Sequence, residues 1–245
     1  MAKSDAKLDR RQFLQRSLLA AGTAALGAAA LPAADAAEAA PPAPAPTPPA
    51  TNPTYLAFGP DEAALLESIV NVLCPADHLT ANGVDCGLAF FIDRQLAGAF
   101  GKGERLYRRG PWRQAKPELG YQLPLTPEEF FKAGLAAADA ACVREHRAHF
   151  TALAPADADR FLTAIADGKI SDDRVPLAEW FNDLVLPLFN AACFADPLYG
   201  GNQGKVFWKM IGYPGLPAVN GLNLTKFRGK PFPGSQTPQS IADFS

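Results

Sequence analysis

Thr126-Pro127-Glu128-Glu129 is the stretch that decides the fold class. Thr at an N-cap, Pro at the first helical position and Glu at the third form a strong helix start. The helix so opened is predicted to run to about His149. Upstream, Pro60-Asp61-Glu62 begins an apolar pattern at Leu65, Leu66, Ile69, Val70 and Leu73. That spacing lies on one helical face, with acids in the first turn where the helix dipole favours them. Pro75 ends it. Gly83 to Asp85 is expected to open a second helix carrying Leu88, Phe91, Ile92, Gln95 and Leu96, closed by Gly98 and Gly101. Downstream, Leu153-Ala154-Pro155 restarts a shorter helix with Phe161, Leu162 and Ile165, closed by Gly168. Pro176 begins the last long helix, striped by Leu177, Phe181, Leu184, Val185, Leu188, Phe189 and Ala192, with Pro187 a candidate kink. Alternating runs of strand length are missing. The expectation is a mostly α, single helical domain of about five helices over 54–216, with a long middle loop at 99–125 and an extended, irregular C-terminal tail at 217–245.

The N-terminal residues read differently. Asp9-Arg10-Arg11-Gln12-Phe13-Leu14-Gln15 matches a twin-arginine export signal, with Arg10, Arg11, Phe13 and Leu14 as its signature residues. The small, apolar run Ser17 to Leu31 is too short to span about 30 Å of hydrocarbon and suits a signal h-region. Ala34-Asp35-Ala36 is a small-x-small cleavage site, so residues 1–36 are expected to be a signal peptide cut near Ala36/Ala37; the alternative is a retained anchoring helix. Residues 37–53 are almost all Ala, Pro and Thr and cannot bury enough apolar side chain to offset their ordering entropy. They are expected to be a disordered linker. These features imply a periplasmic protein.

The 245 residues carry a net charge of −2, with no long basic run, which argues against nucleic-acid binding. There is no G-x-G-x-x-G dinucleotide fingerprint and no C-x-x-C-H haem site. Gly201-Asn202-Gln203-Gly204-Lys205 lacks the P-loop spacing and its hydroxyl. The four cysteines, Cys74, Cys86, Cys142 and Cys193, make disulfides a natural expectation in an exported chain. Cys74 and Cys86 flank a short polar turn and are expected to pair; Cys142 and Cys193 pair with each other or with a partner. Four buried thiols is the other reading. Cys142, His146 and His149 stand at i, i+4 and i+7 of the expected helix, on one face; the spacing could supply three metal ligands, but with Arg144, Glu145 and Arg147 around His146 it reads first as a polar helix face. The third histidine, His78, stands apart.

The most specific stretch runs from Asp196 to Gly215. Gly200-Gly201 permit positive φ, Asn202 can bond its own backbone, and Pro214-Gly215 favours a turn. Tyr199, Phe207, Trp208 and Tyr213 supply large contact surfaces. They serve either as anchors for a partner or as closure for the domain's own core. The candidate partner interface is Tyr199, Gly200, Gly201, Asn202, Phe207, Trp208 and Tyr213.

At this stretch the chain resembles the gluconate 2-dehydrogenase subunit 3 family, the small subunit of a membrane-associated flavoprotein–cytochrome c dehydrogenase. Cys74-Pro75-Ala76-Asp77, Phe91-Ile92-Asp93 and the twin-arginine start support the resemblance, which covers most of 58–216. It implies a large subunit that carries FAD and does the chemistry, a cytochrome c subunit that takes the electrons through haem c, and a small subunit needed for assembly and export. It implies no catalytic residue and no cofactor in this chain, and a location at the cytoplasmic membrane through the complex. The competing reading is a free-standing periplasmic helical protein. That would be a metal-binding enzyme built on the Cys142/His146/His149 face, or a structural or ligand-binding module.

Overall fold

The helix starts read from the sequence are made by local hydrogen bonds. Thr126 Oγ1 accepts from the Glu129 N–H at 3.2 Å, and the Glu129 carboxylate accepts from the Thr126 N–H at 2.7 Å. Two N–H groups that a helix leaves without partners are thereby satisfied. The Glu62 carboxylate does the same for Gly59 N–H at 2.9 Å. The computed structural model describes residues 54–113, 116 and 120–244. The expected signal peptide (1–36), with Arg10, Arg11, Phe13 and Leu14, and the linker (37–53) lie outside the described residues.

The helices are α1 (Pro60–Leu73), α2 (Leu88–Ala97), α3 (Pro127–His146), α4 (Pro155–Ala166), α5 (Leu177–Glu179), α6 (Leu186–Phe194), α7 (Val206–Ile211) and α8 (Pro217–Lys226). A π-helical turn, Trp180–Val185, joins α5 to α6 as one rod. Its wide turn sits where the Pro187 ring would otherwise meet the carbonyl four residues back. The protein is helical, and the described residues include no strand, only an isolated bridge between Gly215 and Gln239.

Three boundaries differ from expectation. α2 starts at Leu88, because Gly87 is left-handed at φ 78° and residues 83–87 are held as turns. α3 stops at His146, because Arg147 turns left-handed at φ 55°. The tail is not extended throughout: Pro217 at the first helical position starts α8.

The core is built around α3. Phe130, Phe131, Gly134, Leu135, Ala137, Ala138, Ala141 and Cys142 form its buried stripe. Trp180 is fully buried against it, with its indole N–H donating to the Phe131 carbonyl at 3.1 Å. Gly134 makes room for that ring, since a Cβ there would overlap it. Leu66, Ile69, Leu88, Ile92 and Leu96 close the core from α1 and α2.

Candidate functional site

The rod ending at Phe194 hands the chain to the glycine-rich segment, and each turn there has a stated cause. The Asp196 carboxylate caps the 3-10 turn Pro197–Tyr199 by accepting from Leu198 N–H at 3.0 Å. Gly200 follows at φ 98°, a conformation a side chain would strain, with its Cα against the Phe90 ring. At Gly201 the constraint is different: a Cβ would overlap the Ala192 carbonyl, so the backbone lies directly on α6. Asn202 is fully buried and left-handed, at φ 49°. Its amide nitrogen donates to the Ala195 carbonyl at 3.2 Å and its amide oxygen accepts from Phe207 N–H at 3.1 Å. One side chain therefore ties the end of α6 to the start of α7.

α7 turns its aromatics inward. Phe207 packs edge-on to Phe194 with ring centres 6.2 Å apart. Trp208 is 4% exposed, and its indole N–H donates to the Phe194 carbonyl at 2.9 Å. Tyr213 is half-buried with its ring 5.1 Å from that of Trp208. Of the four aromatics, Phe207 and Trp208 thus close the chain's own core, and Tyr199 is the one that faces outward, 53% exposed. Gly200, Gly201 and Asn202 are buried and shape the loop from within.

The C-terminal residues return to this segment. Gln239 N–H donates to the Pro214 carbonyl at 3.0 Å, and Ile241 N–H to the Asp196 carboxylate at 2.9 Å. The Lys205 ammonium bonds the Pro238 carbonyl at 3.0 Å and pairs with the Asp243 carboxylate. That pairing, helped by the Ser240 N–H, holds the Asp243 carboxyl below the usual carboxylate range. The result is an outward apolar patch drawn from two parts of the chain: Leu198 and Tyr199 from the segment, Ile241 and Phe244 from the returning tail, all exposed.

Asp93 was visible in the sequence only as part of a short pattern. Its carboxylate is fully buried and gathers the N–H groups of Leu56 at 2.9 Å, Ala57 at 2.8 Å and Phe58 at 3.3 Å. Charge-assisted bonds of this kind are the strong ones. The adjacent Arg94 guanidinium bonds the Thr54 carbonyl at 3.1 Å and lies 4.4 Å over the Phe90 ring. The first described residues are pinned to α2 in this way.

The alternative metal face of Cys142, His146 and His149 does not assemble. Cys142 is fully buried, and burial pushes its thiol up to about 11. His146 stacks edge-on against Phe161. His149 lies beyond the left-handed turn, its Nδ1 2.7 Å from Asp139 Oδ2, while Phe150 N–H donates to the other oxygen at 2.9 Å. Asp139 and His149 therefore fix the turn after α3. No three His, Cys, Asp or Glu side chains among the described residues are grouped to hold a metal ion. All four cysteines are free and buried. Cys193 lies near Cys74 and Cys86, not with Cys142 on α3. The pairing of Cys142 with Cys193 within the chain is thus disfavoured by placement.

The model of the family described as Gluconate 2-dehydrogenase subunit 3 matches residues 60–215. The chain belongs to that family. The match begins at the first residue of α1 and ends at Gly215, where the Gln239 bridge fastens the tail. Subunit 3 membership makes the chain a subunit of a dehydrogenase complex with other gluconate dehydrogenase subunits. Searches of the curated proteins and of the solved structures each found no match.

Proposed function

We propose that the chain is the non-catalytic small subunit of a periplasmic, FAD-dependent gluconate dehydrogenase acting on sugar acids or polyols. In this reading it assists assembly of the flavoprotein subunit and carries it across the membrane on its own twin-arginine signal. FAD belongs to the large subunit and haem c to a cytochrome subunit that takes the electrons. The complex sits at the periplasmic side of the cytoplasmic membrane. The family match over 60–215 carries the reading. Arg10-Arg11 with Phe13-Leu14 support its export half. A flavin is inserted into folded protein in the cytoplasm, so its carrier has to use a route that accepts folded cargo. The flavoprotein contact is assigned to the outward patch of Leu198, Tyr199, Ile241 and Phe244, since large apolar and aromatic side chains are the usual interface anchors.

The test is co-expression with the neighbouring flavoprotein, with Arg10 and Arg11 both changed to Lys. The unmodified pair should appear in the periplasm and co-purify with bound flavin. The double variant should keep both chains in the cytoplasm. Normal periplasmic delivery of the variant refutes the export half, and purification of the chain without a flavoprotein refutes the assembly half.

A further inference from the structure

The buried thiols at the base of the glycine-rich segment are not used by the docking role. Cys74 ends α1 and Cys86 precedes α2, and both Sγ atoms reach the same acceptor, the Ala81 carbonyl, at 3.9 and 3.5 Å. Sharing one acceptor places the two thiols side by side. The turn between them is closed by Gly83 N–H donating to the Cys74 carbonyl at 2.8 Å. Residues 75–79 are exposed, whereas Cys74, Cys86 and Cys193 are each buried.

The far side of this turn is joined to the glycine-rich segment. Gln203 N–H donates to the Cys86 carbonyl at 3.0 Å. Gly87 is left-handed, and a Cβ on it would overlap the Gly200 carbonyl. Whatever fixes Cys86 therefore fixes the platform on which Gly200 to Gln203 rest.

We propose that Cys74 and Cys86 form a dithiol–disulfide couple that latches the 75–85 turn, and through Cys86 the glycine-rich segment, while Cys193 stays reduced beside it. The oxidant is a small or protein disulfide. The Cys74 thiolate attacks one sulfur of that disulfide and releases the other as a thiolate. Cys86 then loses its proton and attacks the Cys74 sulfur, releasing the second. Two protein thiols thus become one S–S bond, and the oxidant's disulfide becomes two thiols. The order follows from their placement on one acceptor: the neighbouring Cys86 lowers the Cys74 thiol, while Cys74 and burial raise Cys86. Burial pushes Cys193 up as well, so Cys74 is the first of the three to attack. The exposed turn is the entry path, since its opening uncovers Cys74 and Cys86 without disturbing α6.

This inference goes beyond the docking role and does not rest on it; every readout uses the chain alone. The purified, reduced full chain is incubated with oxidised glutathione, alkylated and mapped by peptide mass without reductant. A second sample is refolded in a glutathione redox buffer, which removes access as a limit. The expected product in both is a Cys74–Cys86 linkage with Cys142 and Cys193 alkylated. Cys74→Ser and Cys86→Ser each abolish it, and Cys193→Ser does not. Oxidation should also slow amide exchange at Gln203 by about tenfold or more, the size of a local opening made rarer. A bridge that includes Cys193, or free thiols at both positions after refolding, overturns the couple. A Cys74–Cys86 bridge with unchanged exchange at Gln203 overturns the latch.

Discussion

Trp180 and Trp208 make the same local bargain in two different settings. Each is buried, and each donates its indole N–H to a main-chain carbonyl, Phe131 at 3.1 Å and Phe194 at 2.9 Å. Trp180 lies in a helix–helix groove cut by Gly134, edge-on to Phe131 with ring centres 6.1 Å apart. Trp208 lies beneath a loop, bounded by Gly215 and Tyr213. The first ring is enclosed by rigid elements that pack on one another, so its loss reaches the whole domain. The second is enclosed by a segment held through a few hydrogen bonds of Asn202, Gln239 and Lys205, so its loss is first felt locally.

Truncating each ring in turn tests the contrast most directly. Removing a buried Trp costs about 3–5 kcal/mol, a large share of the roughly 5–15 kcal/mol that holds a domain together. Trp180→Ala is expected at the top of that range, leaving much of the chain unfolded by circular dichroism. Trp208→Ala is expected nearer the bottom, with a lowered melting temperature but retained helical signal. Equal losses in the two variants would show that the glycine-rich segment is as much a part of the cooperative core as α3.

Asp93 gives the next largest effect. Asp93→Ala leaves the N–H groups of Ala57 and Phe58 buried without their acceptor, at a cost of about 1–3 kcal/mol. Asp93→Asn keeps one acceptor oxygen and should lose less. Thermal melts rank the two, and protease cleavage near 54–58 should rise first in the alanine variant. An alanine variant that melts like the original would mean that water replaces the carboxylate at no cost.

A smaller effect comes from the tail. The Asp243 carboxyl is depressed in the folded chain, so its pairing with Lys205 favours the closed tail fully above the unfolded aspartate value, about 3.9. The contribution fades as pH falls through the lower, folded value. NMR of the Ile241 amide should show the tail loosening in that acidic window, and Asp243→Asn should show the same loosening at neutral pH. A tail equally ordered at both extremes would assign the closure to Asp196 and the Gln239 bridge alone.

Much of the helical frame was legible because its signals are local. The Thr126–Glu129 box, the prolines opening helices and the stripe from Leu177 to Ala192 all act within a few residues. What escaped the sequence is held together across the chain. Asp93 binds backbone some 37 residues away, and no spacing announces that. Trp208 is amphipathic in type, so its residue name fits an interface and a core equally; the Phe194 carbonyl decides for the core. Cys193 joins Cys74 and Cys86 only once α6 packs beside α2. The left-handed turn at Arg147 removed His149 from the helix and with it the metal face, and an arginine carries no turn signal of the kind glycine does.

Tyr199 should give the smallest change in stability and the most informative one for function. Its ring is 53% exposed, on a 3-10 turn fixed by the Asp196 cap and by Gly200, neither of which depends on the ring. Surface substitutions away from special features usually fall within about 0.5 kcal/mol. Tyr199→Ala should therefore melt within a degree or two of the original chain. An anchor at an interface commonly costs about 2 kcal/mol or more when truncated, roughly thirtyfold in affinity. Under the proposed function, co-purification of the flavoprotein should fall accordingly, whereas Trp208→Ala lowers stability first and binding only through it. Comparing the two variants at a temperature where both are folded separates anchor from scaffold. Full flavoprotein recovery with Tyr199→Ala would move the contact off this patch, and would leave the buried half of the segment as a purely structural clasp between α6 and the returning tail.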